Sequence, residues 1–183
     1  MASGFQRLSI ELAKLEPSLK ANGNPGMGSE IDDHRRLIRA SLQEYLPGEQ
    51  GLEDLNSIPR PENWSISISH SKNFGGWLAV KRPKQVGFDC ELQSRIRPEV
   101  IQRISTPEEI ARCPISELLW GAKEAFYKAL EKEQPVAITQ MQIGEWKKLD
   151  SGVYAFSGDI PVACAGLMVI DEGLLFAGCI VSK

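Results

Sequence analysis

The sequence predicts an α+β protein in which helices pack beside antiparallel strands. Three observations carry this: apolar residues recur at helical spacing in some stretches, polar and apolar residues alternate at period two in others, and short Gly- or Asp-containing turns join the strands. With 183 residues, 42% of them hydrophobic, the chain can bury a core without disulfide or metal staples. Its formal net charge of -3 argues against nucleic-acid binding, which needs a basic excess. Cys90, Cys113, Cys164 and Cys179 are far apart and form no Cys-x-x-Cys pair, so they read as reduced thiols of a cytoplasmic protein. The N-terminus lacks a signal-peptide pattern. The longest apolar run, 162–170, is too short to cross a bilayer.

Leu8, Leu12 and Leu15 give a short amphipathic helix over 5–15, ended by Pro17. The Gly- and Asn-rich stretch 21–29 reads as a loop. A helix over 31–46 buries Leu37, Ile38, Leu42, Tyr45 and Leu46 and stops at Pro47-Gly48. Its His34, Arg35, Arg36 and Arg39 form a cationic cluster that is either a solvated face or an anion-binding edge. Loop 48–61, with one helical turn at 52–55, leads to a strand over 64–70. There Ile66 and Ile68 face one way and Ser65, Ser67 and Ser69 the other. Strands over 75–81 and 86–92 follow closely enough to pair antiparallel with it.

A helix over 96–104 precedes a second helix start at Thr106-Pro107-Glu108-Glu109, which has a Thr cap, Pro in the first position and Glu three residues after the cap. Cys113-Pro114 interrupts it, and 115–132 is the longest helix. Strands over 137–147, 152–157, 160–170 and 174–181 complete the chain, with turns at Asp150-Ser151-Gly152, Ser157-Gly158-Asp159 and Asp171-Glu172-Gly173.

The chemistry-bearing residues lie between 85 and 130. In Gly87-Phe88-Asp89-Cys90-Glu91 the two carboxylates project from one strand face, and Gly87 on that face leaves room for a ligand. Paired acids of this kind are either ordinary surface charge or hard-oxygen ligands for Mg²⁺. On the long helix Trp120, Lys123, Glu124, Tyr127 and Lys128 share one arc, opposite Leu118, Leu119, Ala122, Ala125, Phe126 and Ala129. An acid and two lysines rimmed by aromatics fit a half-buried site better than a solvated face.

The blocks Trp64-Ser-Ile-Ser-Ile-Ser-His-Ser71, Gly87-Phe-Asp-Cys-Glu91 and Trp120-Gly-Ala-Lys-Glu-Ala-Phe-Tyr-Lys128 resemble, in order and spacing, the signature of the 4′-phosphopantetheinyl transferases, most closely the longer, surfactin-synthetase-activating type. The resemblance implies two similar α+β halves, 1–84 and 85–183, with the site at their junction, and a chain that could act as a monomer. It implies Mg²⁺ held by Asp89, Glu91 and Glu124. Coenzyme A would lie along Arg36, Arg60, Ser69, His70, Lys123 and Lys128, and the partner would be an apo acyl or peptidyl carrier protein. Either Glu124 or Glu91 would take the proton of the carrier serine, with Lys128 on the pyrophosphate. Two other readings use the same residues: a Mg²⁺-dependent phosphohydrolase acting on a nucleotide, and a catalytically degenerate module that binds coenzyme A or a carrier protein.

Overall fold

The computed structural model describes residues 30–71, 74–130 and 136–181. The helix expected over 5–15, the loop over 21–29 and the end of the long helix at 131–132 lie outside them. The architecture is α+β, with antiparallel sheets of two and five strands.

Helix α1 (Glu30–Tyr45) buries Ile38 and Leu42, with Leu46 just beyond its end. Leu42, Leu46 and Leu52 pack on Ile66 of β1 (Trp64–Ser71). Tyr45 does not join that core: it is 51% exposed and lies on the Trp77 ring, with centroids 4.8 Å apart. The polar edge of α1 is not simply solvated either, because Arg39 is buried and its guanidinium donates to the Ser57 carbonyl. Residues 52–55 form turns and no helix.

Strand β2 (Phe74–Lys81) pairs with β1 as a hairpin. The expected three-stranded meander does not form. β3 (Gln85–Leu92) leaves the hairpin and pairs antiparallel with β7 (Leu174–Val181), giving the order β3-β7-β6-β5-β4. The reason lies in the apolar side of β3: Val86, Phe88 and Cys90 form a core with Leu78 of β2, flanked by Phe176 and Ile180 of β7. A place beside β2 in one flat sheet would not bury that face between the two sheets.

A 3-10 turn (Gln93–Arg95) and two short helices, α2 (Pro98–Ile104) and α3 (Pro107–Arg112), lead to α4 (Leu118–Ala129). At the start of α3 the expected capping box is present: the Glu109 amide donates to Thr106 Oγ1, and the Thr106 amide donates to the Glu109 carboxylate. Helix α4 lies across the larger sheet and buries Leu118, Leu119, Ala122, Ala125, Phe126 and Ala129. It runs so close to β3 that a Cβ on Gly87 would fall 1.7 Å from the Ala125 carbonyl oxygen. Gly87 therefore leaves room for the helix, and the sequence reading that it leaves room for a ligand is corrected.

Strands β4 (Gln142–Asp150), β5 (Val153–Ile160) and β6 (Cys164–Asp171) complete the sheet. Gly152, Glu172 and Gly173 take the positive φ that the tight β4–β5 and β6–β7 turns require. Ser157-Gly158-Asp159 is no turn. It lies within β5, where a Cβ on Gly158 would come 2.5 Å from the Gln142 carbonyl, so this glycine permits close strand packing. The four cysteines are free thiols, and burial pushes Cys90 and Cys113 up to about 12.

Candidate active site

Three of the sequence blocks meet at one cluster where the hairpin, β3 and α4 converge. Asp89 is buried, and its Oδ1 accepts from Lys128 Nζ at 2.7 Å and from Ser69 Oγ at 3.0 Å. Lys128 Nζ also donates to Ser69 Oγ at 3.0 Å. One residue of β1, one of β3 and one of α4 thus form a closed triangle of charge-assisted bonds. Glu124, one helical turn before Lys128, is half-buried. Burial holds its pKa above the ordinary glutamate range, and the nearby Asp89 charge raises it further while Lys128 offsets part of the rise.

Glu91 projects from the same strand face but is held elsewhere. Its Oε1 accepts from Ser71 Oγ at 2.7 Å, from the Leu92 amide at 2.8 Å and from Arg95 Nη1 at 3.2 Å. Sequence reasoning missed Arg95: Glu91 lies on a strand, where residues four apart do not meet as they do on a helix, and it is the 3-10 turn Gln93–Arg95 that brings the guanidinium back to it. Ser71 lay in the Ser-His-Ser block without an assigned role. His70 is exposed, and its Nε2 accepts from Arg35 Nε at 3.2 Å, so one arginine of the α1 cluster reaches the Ser-His-Ser segment. Arg36 is exposed on α1. Arg60 is exposed beside a cavity of about 720 Å³ that Gln50, Asn56 and Ser57 also line.

Lys123 is not on the open arc with Lys128. It is fully buried, and its ammonium donates to the Ile104 carbonyl at 2.7 Å and to Glu109 Oε2 at 2.9 Å. Glu109 Oε1 also accepts from the Ile143 amide at 2.9 Å. The helical arc had grouped the two lysines by angle. The buried acid of the capping box drew Lys123 inward, because a buried carboxylate needs a counter-charge.

Among the described residues no group of three His, Cys, Asp or Glu side chains is placed to hold a metal ion. Burial, with the nearby Asp89 charge adding to it, raises the Glu124 pKa, and two carboxylates so placed fit a hard divalent cation. Glu91, the third ligand implied by the resemblance, is engaged by Arg95 and Ser71.

Residues 85–165 match the family model of the 4′-phosphopantetheinyl transferase superfamily. This segment runs from β3 through α4 into β6 and includes Asp89, Glu91, Lys123, Glu124 and Lys128. The match leaves out Ser69, His70, Arg36 and Arg60. The α+β fold with antiparallel sheets agrees with that superfamily. No curated protein matches the chain. Among the described residues no helix is long and apolar enough to cross a membrane.

Proposed function

We propose that this protein transfers the 4′-phosphopantetheine group of coenzyme A to a serine hydroxyl of an apo acyl or peptidyl carrier protein, as a transferase of the surfactin-synthetase-activating type. The observation that carries the reading is the Ser69–Asp89–Lys128 triangle with Glu124 beside it. It joins the Ser-His-Ser, Gly-x-Asp-x-Glu and Lys-Glu-x-x-x-Lys blocks at one point, although only the second and third lie in the segment that matches the superfamily.

In the proposed reaction the carrier serine oxygen bonds to the β-phosphorus of coenzyme A. The bond from that phosphorus to the bridging oxygen breaks, and adenosine 3′,5′-bisphosphate leaves with the bonding electron pair. Glu124, half-buried one helical turn before Lys128, takes the serine proton as general base. Glu91 is the alternative base. Lys128 turns from Asp89 to the pyrophosphate and stabilises the charge that grows on the leaving oxygen. Ser69 and His70 line the pyrophosphate arm, while Arg36 and Arg60 receive the nucleotide end. Lys123 supports α4 from behind. Mg²⁺ would be held by Asp89 and Glu124, with Glu91 as third candidate, and when bound it supplies charge neutralisation on the phosphate oxygens. Because all these residues belong to one chain, a monomer suffices.

The test is mass spectrometry of apo carrier domains incubated with the protein, coenzyme A and Mg²⁺, with and without chelator. The expected result is a carrier heavier by one phosphopantetheine group only when Mg²⁺ is free. Coenzyme A cleaved while the carrier stays unmodified would point to the phosphohydrolase reading, and binding without either change to the degenerate module.

A further inference from the structure

We propose that Ser65 and Ser67 are positioning residues for the Asp89–Lys128 pair, acting through a ladder of serine hydroxyls that locks β1 onto the edge of β3. β3 is the outermost strand of its sheet and has a backbone partner only in β7. Its amides on the other edge point at β1, and the strand there meets them with side chains. The Val86 amide donates to Ser65 Oγ at 3.1 Å, that of Phe88 to Ser67 Oγ at 2.8 Å and that of Cys90 to Ser69 Oγ at 3.3 Å. The hydroxyls donate back to side chains of β3: Ser65 to Gln85 at 3.0 Å, Ser69 to Asp89 at 3.0 Å and Ser71 to Glu91 at 2.7 Å.

The offset is constant. Each serine meets the side chain 20 positions later or the amide 21 positions later. β1 and β3 therefore run parallel in a single register, with Gly87 opposite Ser67. Buried amides without partners are costly, so the ladder closes the edge of β3 and fixes its offset at once.

Ser69 shows why that offset matters to the site. Its one proton goes to Asp89, and its two lone pairs receive the Cys90 amide and the Lys128 ammonium. That saturated arrangement forms only when β1 stands in this register, and Ser65 and Ser67 hold the register from outside the triangle. The strand alternation is thus a fitting surface for the neighbouring sheet as well as a polar face.

The inference rests on the proposed transfer for its kinetic arm, and a spectroscopic arm stands apart from it. Ser67→Val and Ser67→Thr have the same shape and differ in the hydroxyl. In Ser67→Val, amide exchange at Phe88 and Cys90 should accelerate about tenfold or more, and the hydrogen-bonded Lys128 ammonium signal in ¹H–¹⁵N spectra should shift or broaden. In Ser67→Thr both should stay as in the wild type. In the transfer assay kcat should fall about tenfold in the valine variant with KM for coenzyme A unchanged, and the threonine variant should recover it. If Ser67→Val does not fold, Ser65→Val against Ser65→Thr gives the same contrast, read at Val86 and Lys128. Valine and threonine variants with the same Lys128 signal and the same kcat overturn the inference. A wild type that transfers nothing overturns the proposed function instead, and the Lys128 signal then decides the ladder alone.

Discussion

Helix α4 carries two lysines five residues apart, and the fold gives them opposite tasks. Lys123 turns inward to a buried ion pair with Glu109 that also caps α3 and holds the Ile143 amide of β4. Lys128 turns outward to Asp89 and Ser69, where it keeps 28% side-chain exposure. The rear pair has given up water for a fixed role in packing. The front pair keeps access to solvent, which the exchange of anionic partners proposed for Lys128 requires. Residue type therefore says little about these lysines until the neighbouring acid is known.

Substitutions should separate the two faces, and the largest effect falls at the rear. Lys123→Met leaves the Glu109 charge buried without its counter-ion, which should cost about 3–5 kcal/mol of stability, read from the denaturant midpoint. The transfer rate per folded molecule should stay within a few-fold; a folded variant that transfers nothing would erase the division. At the front, Lys128→Ala should lower the transfer rate roughly 10²–10³-fold while destabilising the fold less than Lys123→Met does. A variant with near-normal rate would remove Lys128 from the reaction.

Glu124 sharpens the contrast through pH. Burial and the Asp89 charge raise its pKa in the folded state, so the folded protein holds this proton to higher pH than the unfolded chain does. Its contribution to stability falls as pH rises from the ordinary value of 4.5 towards the raised one. Glu124→Gln should therefore gain stability relative to the wild type as pH climbs through that window, then keep a constant advantage above it. Unfolding midpoints across the window check this, and parallel curves would contradict the placement of Glu124. The smallest effect belongs to Arg95→Ala, whose pair with Glu91 is exposed: thermal denaturation should reveal a loss of about 1 kcal/mol or less.

Much of the front face could be read in the sequence. Period-two alternation put Ile66 and Ile68 on one side of β1 and the serines on the other, and it put Asp89 and Glu91 on one face of β3; the structure packs the isoleucine side with Leu42 and Leu46. The partner of β3 could not be read, because alternation gives the side a residue faces and short connections favour local pairing. Burial of Val86, Phe88 and Cys90 between two sheets overrode that preference. Gly87 and Gly158 misled for a shared reason: a glycine can mark a turn, open space or a close backbone approach, and only the packing of α4 and of β4 on β5 decides. Lys123 could have been paired with the Glu of the Thr-x-x-Glu cap, but nothing in helical periodicity brings α3 to α4.

The most direct test is the rate at which Asp89→Asn loads an apo carrier from coenzyme A in the presence of Mg²⁺. Asparagine keeps an acceptor for Ser69 and Lys128 while removing the charge at the centre of the triangle. The account predicts a fall of at least about 100-fold in a protein that still unfolds cooperatively. Loading at the wild-type rate would contradict it.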